Sequence, residues 1–345
     1  MTSSKMSSSR VRMRYVAAHG AGGVEVLAIG EMSVPVPRED EVLIRVAAAG
    51  VNRPDIAQRE GKYPPPPGAS PVMGLEVAGE VVNVGAAVDG WQVGDRVTAL
   101  VNGGGYAEYC VAPGTQCLPW PAGCDAVQAA SLPETFFTVW ANLILHGRFR
   151  RGESVLVHGG TSGIGVTALQ LVQALGGVAY ATAGSPDKCA ACRDLGAVAA
   201  IDYRAEDFGA RIAELTAGRG VDVVLDIVGA PYFERNLACL AMDGRLVQVS
   251  TMQGAVAPRL DLFQVMRRRL VITGSTMRPR TTAEKGAIAA ALLREVWPLF
   301  ADGRLRPVVH ATFPLEAVAD AHRLMESSTH VGKIVMRMDG GGLAE

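Results

Sequence analysis

The stretch HGGTSGIG, residues 158 to 165, constrains the fold of this chain more than any other. A short apolar run, SVLVHG, leads into it, and a helical pattern, VTALQLVQALGG, follows. Glycines between a strand and a helix let backbone N–H groups approach a phosphate, and the helix N-terminus adds a favourable dipole. The backbone of Gly160, Thr161, Ser162, Gly163 and Ile164 is therefore the candidate pyrophosphate cradle. Glycine spacing alone is weak evidence, and the flanking strand and helix strengthen it. The spacing fits two dinucleotide-binding patterns at once, Gly160-x-x-Gly163-x-Gly165 and Gly159-x-x-x-Gly163-x-Gly165. They belong to enzymes with different catalytic machinery.

The sequence around the turn alternates between strand and helix. Strands are predicted at 155–159, 179–183, 199–203, 222–228, 245–250 and 270–275, with helical stretches such as 163–175 and 187–195 between the earlier ones. Such alternation means a parallel, doubly wound sheet, and six strands make a full dinucleotide fold. Residues 13–130 have another texture. EVLIRVAAAGV, EVAGEVVNVG, GDRVTAL and YAEYCVAP are short strand-like runs broken by Gly, Pro, Asn and Asp, which predicts a barrel-like β unit. GKYPPPPGASP, at 61–71, is a stiff polyproline-like loop. A helix is predicted over 283–303. The stretch 306–338 returns to strand, helix and strand, and rejoins the first unit because the six-stranded sheet has no place left. The 345 residues suit two domains.

The formal net charge is -1, and the densest basic cluster is RRR at 267–269, which argues against nucleic acid as the partner. No run of 18 apolar residues exists, so nothing is expected to span a membrane. The start, MTSSKMSSSRVRMR, has no apolar h-region, so it is not a secretory signal. Its serines predict a disordered tail over residues 1–12, and its basic, Ser-rich character leaves a transit-peptide reading open. Six scattered cysteines fit a reducing, cytoplasmic setting. Cys189-x-x-Cys192 has redox or zinc spacing but lies within a predicted helix and has no second pair, so it reads as helix-facing thiols.

The second strand of the sheet addresses the ribose. An NAD-selective site places Asp or Glu at its end. Here the strand ends ATAGSPDK, and Gly184 and Ser185 occupy that place. Ser185-Pro186 also reads as an N-cap followed by proline in the first helical turn. Lys188 puts a cation in that turn, against the helix dipole, and a bound phosphate removes the penalty. Tyr203 ends the third strand nearby. These residues predict NADPH over NADH.

The short-chain dehydrogenases use a Tyr-x-x-x-Lys pair for proton transfer. None of tyrosines 15, 63, 106, 109, 180, 203 and 232 has Lys four residues later. From about residue 13 to 338 the chain instead resembles the medium-chain dehydrogenase/reductases, through GLEVAGEVVNVG (74–85), VGDRV (93–97), LPETFFTVW (132–140) and GKIVM (332–336). The resemblance implies a GroES-like β-barrel catalytic domain over 13–135 and 278–345, and a Rossmann domain over 136–277. Zinc-dependent members carry a Gly-His-Glu segment. Here it reads Gly74-Leu75-Glu76, Asn52 stands in the segment that supplies the first Cys ligand, and residues 98–110 hold one cysteine, so no metal is expected.

The zinc-free quinone oxidoreductases are more similar, above all the p53-inducible type, through VNRPDIAQREGKYPPPPGAS (51–70), GGGYAEY (103–109), TAGS (182–185), DYRAEDF (202–208) and MDGR (242–245). That resemblance implies nucleotide contacts from Ser162, Gly184, Ser185, Lys188 and Tyr203, and from Lys333 of GKIVM. It places Gly229 and Ser275, Thr276, Met277 and Arg278 on the nicotinamide side, and Asn52, Tyr63 and Thr138 around the substrate. The implied activity is hydride transfer from NADPH to a small quinone or similar electrophile, with Tyr63 as donor or positioner and Asn52 holding a carbonyl oxygen. The bland alternatives are a packing aromatic for Tyr63 and a turn residue for Asn52. Two other functions stay open: an activated-alkene or enoyl-thioester reductase, and a non-catalytic NADPH sensor. An exposed edge at LVITGST (270–276) suggests a homodimer.

Overall fold

A computed structural model describes residues 11–338. The expected tail at 1–12 lies outside these up to residue 10, and a strand already begins at Arg12. The chain opens with an antiparallel hairpin, β1 (Arg12–Ala18) and β2 (Leu27–Ser33). The long β3 (Glu41–Val51) follows, then the short helix α1 (Arg53–Arg59), β4 (Glu76–Val84), β5 (Arg96–Leu100), β6 (Tyr109–Pro113) and β7 (Cys117–Pro119). The proline loop between α1 and β4 forms no helix or strand over 61–71, as expected. In α1 the carboxylate of Asp55 accepts from the N–H of Asn52 at 2.8 Å, and Pro54 sits in the first turn, where no backbone donor is needed.

Two short helices, α2 (Ala126–Ala130) and α3 (Pro133–Val139), carry the chain towards the second unit. Beyond α3 the helix widens into a π-helical stretch, Trp140–His146. Phe136, Phe137, Trp140 and Leu143 are buried there. Each such side chain contributes ~1.5–3 kcal/mol relative to exposure.

The six-stranded sheet holds β8 (Ser154–Val157), β9 (Val178–Ala183), β10 (Ala197–Asp202), β11 (Val221–Asp226), β12 (Leu240–Gln248) and β13 (Val271–Gly274). Interleaved with them are α4 (Gly163–Ala174), α5 (Pro186–Asp194), α6 (Phe208–Leu215), α7 (Phe233–Cys239) and α8 (Leu262–Arg268). The strand order is β10-β9-β8-β11-β12-β13, and every pairing is parallel. All six predicted strands are present, most beginning a residue or more earlier than read. The chain winds one way from β8 to β10 and the other way from β11 to β13. The end of β8 is thus the switch point where such sheets bind ligands.

The helix read as continuous over 283–303 is two, α9 (Thr282–Glu295) and α10 (Trp297–Ala301). Pro298 cannot donate to the preceding turn, so the helix breaks at Val296. Phe136 packs on Phe300 with ring centroids 5.4 Å apart, joining α3 to α10. The last elements are β14 (Val309–Pro314), α11 (Val318–Ser327) and β15 (Lys333–Arg337). They return to the first unit, whose sheet runs β14-β15-β3-β4-β5-β7 with β6 also paired to β3. Cys189 and Cys192 are both buried in α5 and no cysteine is in a disulfide. No described helix is long and apolar enough to cross a membrane.

Candidate active site

The glycine turn leaves β8 and enters α4. Gly159 has φ +65°, which disfavours any side chain, and a Cβ on it would lie 2.6 Å from Ile227 Cδ1. A Cβ on Gly165 would lie 2.3 Å from the Gly159 carbonyl oxygen, so α4 approaches the turn only without one. Both spacings in the sequence are therefore real, because positions 159, 160, 163 and 165 are all crowded. Ser162 caps α4: its Oγ accepts from Gly165 N at 3.0 Å and donates to Gly159 O at 2.8 Å. Thr161 is buried and its carbonyl accepts from Gly332 N at 2.8 Å, which ties the turn to the loop before β15; Ile164 is half-buried. The neighbouring His158 bonds Thr182 Oγ1 at 2.9 Å and Asn236 Oδ1 at 2.7 Å. Burial pushes its imidazole down to about 4, so it is a neutral structural knot.

The end of β9 carries no carboxylate. Ser185 caps α5, its Oγ accepting from Lys188 N at 3.3 Å. Lys188 reaches the carbonyl of Ser328, and burial and then Arg204 lower its ammonium. A Cβ on Gly184 would lie 2.7 Å from the Tyr203 hydroxyl and 3.4 Å from Arg204 Nε. Sequence reasoning missed Arg204. Its exposed guanidinium has no partner among the described residues, and it stands beside the Gly184 backbone, close enough to lower the Lys188 ammonium. The local signal was present as the third residue of DYRAEDF. Two cations, a helix N-cap and a phenol fit a phosphate on the ribose.

Across the switch point, Gly229 has φ +99° and its N–H faces the Asp226 carboxylate at 3.2 Å. Ser275 Oγ donates to Asn142 Oδ1 at 3.1 Å, and Asn142 Nδ2 donates to the Thr138 carbonyl at 2.9 Å. The π-helical stretch thus connects two predicted site residues through a buried amide that the sequence did not single out. Thr276 is exposed and Met277 packs on the core. Arg278 turns to the substrate side. Its Nη1 donates to the Tyr63 carbonyl at 3.1 Å, its Nη2 to Gln58 Oε1 at 2.8 Å, and Nε and Nη2 to the Asn102 carbonyl at 3.0 and 2.6 Å. Lys285 lies behind it, 2.9 Å from the Arg278 carbonyl, and burial lowers its ammonium to about 8.

Lys333 heads β15 and joins the two halves of the cleft. Its stem runs beside the glycine turn, for a Cβ on Gly163 would lie 2.8 Å from Lys333 Cδ. Its Nζ sits 2.7 Å from Glu76 Oε1 and also contacts Asn52 Oδ1. The Asn52 amide donates to the same Glu76 oxygen at 2.8 Å, and Glu76 Oε2 accepts from Glu134 N at 2.8 Å. Asn52 is thus a network member at both ends of its amide, with one side-chain N–H uncommitted among the described residues. Beneath it, Asp55 takes bonds from Asn52 N, Gly74 N and the Tyr106 hydroxyl, while burial pushes its carboxyl up to about 6. Tyr63 is half-buried, and burial raises its phenol; the hydroxyl has no partner among the described residues. Thr138 Oγ1 is buried and likewise unpartnered.

These residues do not fit a catalytic zinc. Leu75 cannot ligate, and Asn52 and Glu76 are bonded to each other and to an ammonium. Among the described residues no three of His, Cys, Asp and Glu group as metal ligands. A dinucleotide fits, because glycines at 159, 160, 163 and 165, where a Cβ would clash, and the Ser162 cap bring the backbone of the turn up to the N-terminus of α4.

Residues 38–122 match the alcohol dehydrogenase GroES-like domain family, and residues 195–336 match the zinc-binding dehydrogenase family. The chain is 33% identical to the quinone oxidoreductase of Lama guanicoe, over 96% of this chain and 99% of that protein. It is also 33% identical to a phenolphthiocerol/phthiocerol polyketide synthase of Mycobacterium tuberculosis, over 94% of this chain, which spans 15% of that protein. Among solved structures it is similar to Escherichia coli quinone oxidoreductase complexed with NADPH, with a TM-score of 0.82 and 30% identity over 94% of this chain and 99% of that one. It is also similar to the CurK enoyl reductase, with a TM-score of 0.83 and 28% identity over 94% and 99%.

Proposed function

Because the chain belongs to the medium-chain dehydrogenase/reductase superfamily, we propose that it is a zinc-independent, NADPH-dependent reductase of quinones. The carrying observation is that β9 ends in Gly184 and Ser185, where NAD-selective sites hold a carboxylate, with Arg204 beside Gly184 and Lys188 in the first turn of α5. Quinone as the acceptor is supported by the full-length relative and by the cleft, whose donor set does not fit zinc. A quinone is electrophilic enough to need no Lewis acid.

A bound reduced nicotinamide supplies a hydride. The residues of this chain do the rest. Gly160 to Ile164 and the α4 N-terminus hold the pyrophosphate, while Ser185, Lys188, Tyr203 and Arg204 hold the ribose phosphate. Gly229 and Ser275 to Met277 border the nicotinamide side. Arg278 fixes the Tyr63 loop against it, and Asn52 presents its remaining N–H to an acceptor oxygen. Much of the rate then comes from stacking and alignment, so Tyr63→Phe lowers turnover only a few-fold. The exposed edge of β13, with Val271 and Ile272, continues into Leu262, Phe263 and Met266 exposed on α8. This apolar strip suits a two-fold dimer; Phe263→Glu would yield a monomer in light scattering.

The test is loss of NADPH absorbance with ortho- and para-quinones and an enoyl thioester, with NADH in parallel. Quinone-dependent oxidation faster with NADPH is the expected result. Activity with the thioester alone overturns the quinone assignment in favour of an enoyl reductase. Tight NADPH binding with no turnover leaves a sensor.

A further inference from the structure

Three carboxylates meet one ammonium at the junction of the two units: Asp55 on α1, Glu76 on β4 and Glu134 on α3, around Lys333 on β15. Glu76 is buried and takes Lys333, the Asn52 amide and Glu134 N. Asp55 is buried and takes three donors. The Glu134 carboxylate, on a half-buried residue, takes none among the described residues. With all three ionised, this low-dielectric junction would carry two uncompensated negative charges. Such an excess is relieved by a proton on the group with fewest donors.

The position of Glu134 adds a second observation. It lies four residues before Thr138, so both side chains share one face of α3. Thr138 presents there a buried hydroxyl with no partner. The intervening Thr135 looks elsewhere, bonding Thr167 at 3.0 Å and flanking the glycine turn, where a Cβ on Gly163 would lie 3.2 Å from its Cγ2. Tyr63 feels the Glu134 charge, with Arg278 behind it. An acid and an unpartnered hydroxyl thus share one face of α3, and a free phenol lies within electrostatic reach of the acid.

We infer that Glu134 holds the proton the reduction consumes and, with Thr138, forms the acceptor-facing row of the cleft. This rests on the reductase reading above. Once hydride has reached the acceptor, the Glu134 O–H bond breaks. The proton passes to the acceptor's anionic oxygen, the bonding electrons stay on the carboxylate, and water restores the proton. Burial is the main cause that pushes the Glu134 carboxyl up to about 7, with Glu76 and Asp55 raising it and Lys333 lowering it. The bland reading is a solvated acid favoured by the helix dipole, which would be ionised at neutral pH.

Infrared difference spectra of the cofactor-free protein between acidic and alkaline pH read the proton directly. The expected result is a protonated carboxylic acid band that titrates near neutral pH and is missing from Glu134→Gln, while any Asp55 band persists. An unchanged spectrum in Glu134→Gln overturns the inference. In turnover at saturating NADPH and quinone, the wild-type rate falls as pH rises through about 7. Glu134→Gln lowers the rate by about tenfold or more and loses that pH dependence, whereas Glu134→Asp keeps it. A pH profile unchanged in Glu134→Gln also overturns the inference. Thr138→Val raises the acceptor KM and leaves the infrared band in place; loss of the band in Thr138→Val, with Glu134→Gln unaltered, counts against the row. If the wild type reduces no quinone, the functional reading fails, and the infrared band still decides whether Glu134 stores a proton.

Discussion

Arg278 stacks its guanidinium 5.3 Å from the centroid of the Tyr63 ring while donating to the Tyr63 carbonyl at 3.1 Å. One residue from the end of the dinucleotide sheet therefore fixes both the backbone and the ring of a residue in the proline loop. Arg278→Ala strands the carbonyls of Tyr63 and Asn102, at a cost of ~1–3 kcal/mol. Denaturant melts should show that loss. Steady-state kinetics should show a raised acceptor KM, with the NADPH Kd little changed. A large rise in the NADPH Kd with an unchanged acceptor KM would instead assign the arginine to the cofactor.

The Lys333–Glu76 pair is almost fully buried and 2.7 Å long. Removing one partner leaves the other as an unmatched charge. Lys333→Met should therefore cost ~3–5 kcal/mol, and the double variant Glu76→Gln/Lys333→Met should recover much of it. Chemical denaturation of the wild type, of Lys333→Met and Glu76→Gln singly, and of the double variant forms a double-mutant cycle. Losses that simply add, the double variant costing the sum of the two singles, would mean that no coupling exists.

Cofactor choice rests on the shelf after β9. Arg204→Ala removes a charge-assisted contact worth ~1.5–3 kcal/mol, about 10- to 100-fold in NADPH affinity, and leaves NADH binding nearly unchanged. Ser185→Asp places a carboxylate near the phosphate and should reverse the preference. Dissociation constants for both cofactors, measured by fluorescence, check the pair. Parallel changes for NADPH and NADH would remove the case for a phosphate pocket.

Stability should fall in acid. His158 is held neutral, its folded value pushed down to about 4 from 6.5 by burial. The unfolded chain therefore binds a proton that the native state refuses between about pH 4 and 6.5, so this contribution weakens as pH drops through that window. His322 and His330, lowered to about 3 and about 4, act the same way. Asp55 and Glu134, raised by burial, oppose the trend over part of the range. His158→Gln should flatten the slope of unfolding free energy by about 1.4 kcal/mol per pH unit. Melts at several pH values measure it, and an unaltered slope would mean that His158 is charged in the native state.

Local patterns in the sequence exposed what is local in the structure. The six strands, the glycine turn, the Ser185-Pro186 cap and the irregular proline loop depend on short-range chemistry. The hairpin β1–β2, the break at Val296 and the π-helical stretch were missed, since each depends on packing or on where one proline falls. The site was legible to the same degree. Gly160 to Gly165 are neighbours in sequence, as are Gly184, Ser185 and Lys188, and each group forms one strand-to-helix turn. Glu76 with Lys333, and Arg278 with Tyr63, meet only after two units have closed on each other, and no spacing rule encodes such pairs. Glu134 was in view within LPETFFTVW, but its lack of donors becomes visible only once Glu76, Asp55 and Lys333 surround it.

The sheet order has a temporal side. β15 lies between β14 and β3, so the first unit lacks a central strand until the segment made long after it has emerged from the ribosome. The dinucleotide sheet, β8 to β13, is continuous in the chain and can condense first, leaving the 48–51 end of β3 with an open edge in the meantime. During synthesis the nascent chain thus exposes the apolar edge of residues 48–51 for most of its translation, while residues 41–45 already have β6 as a partner.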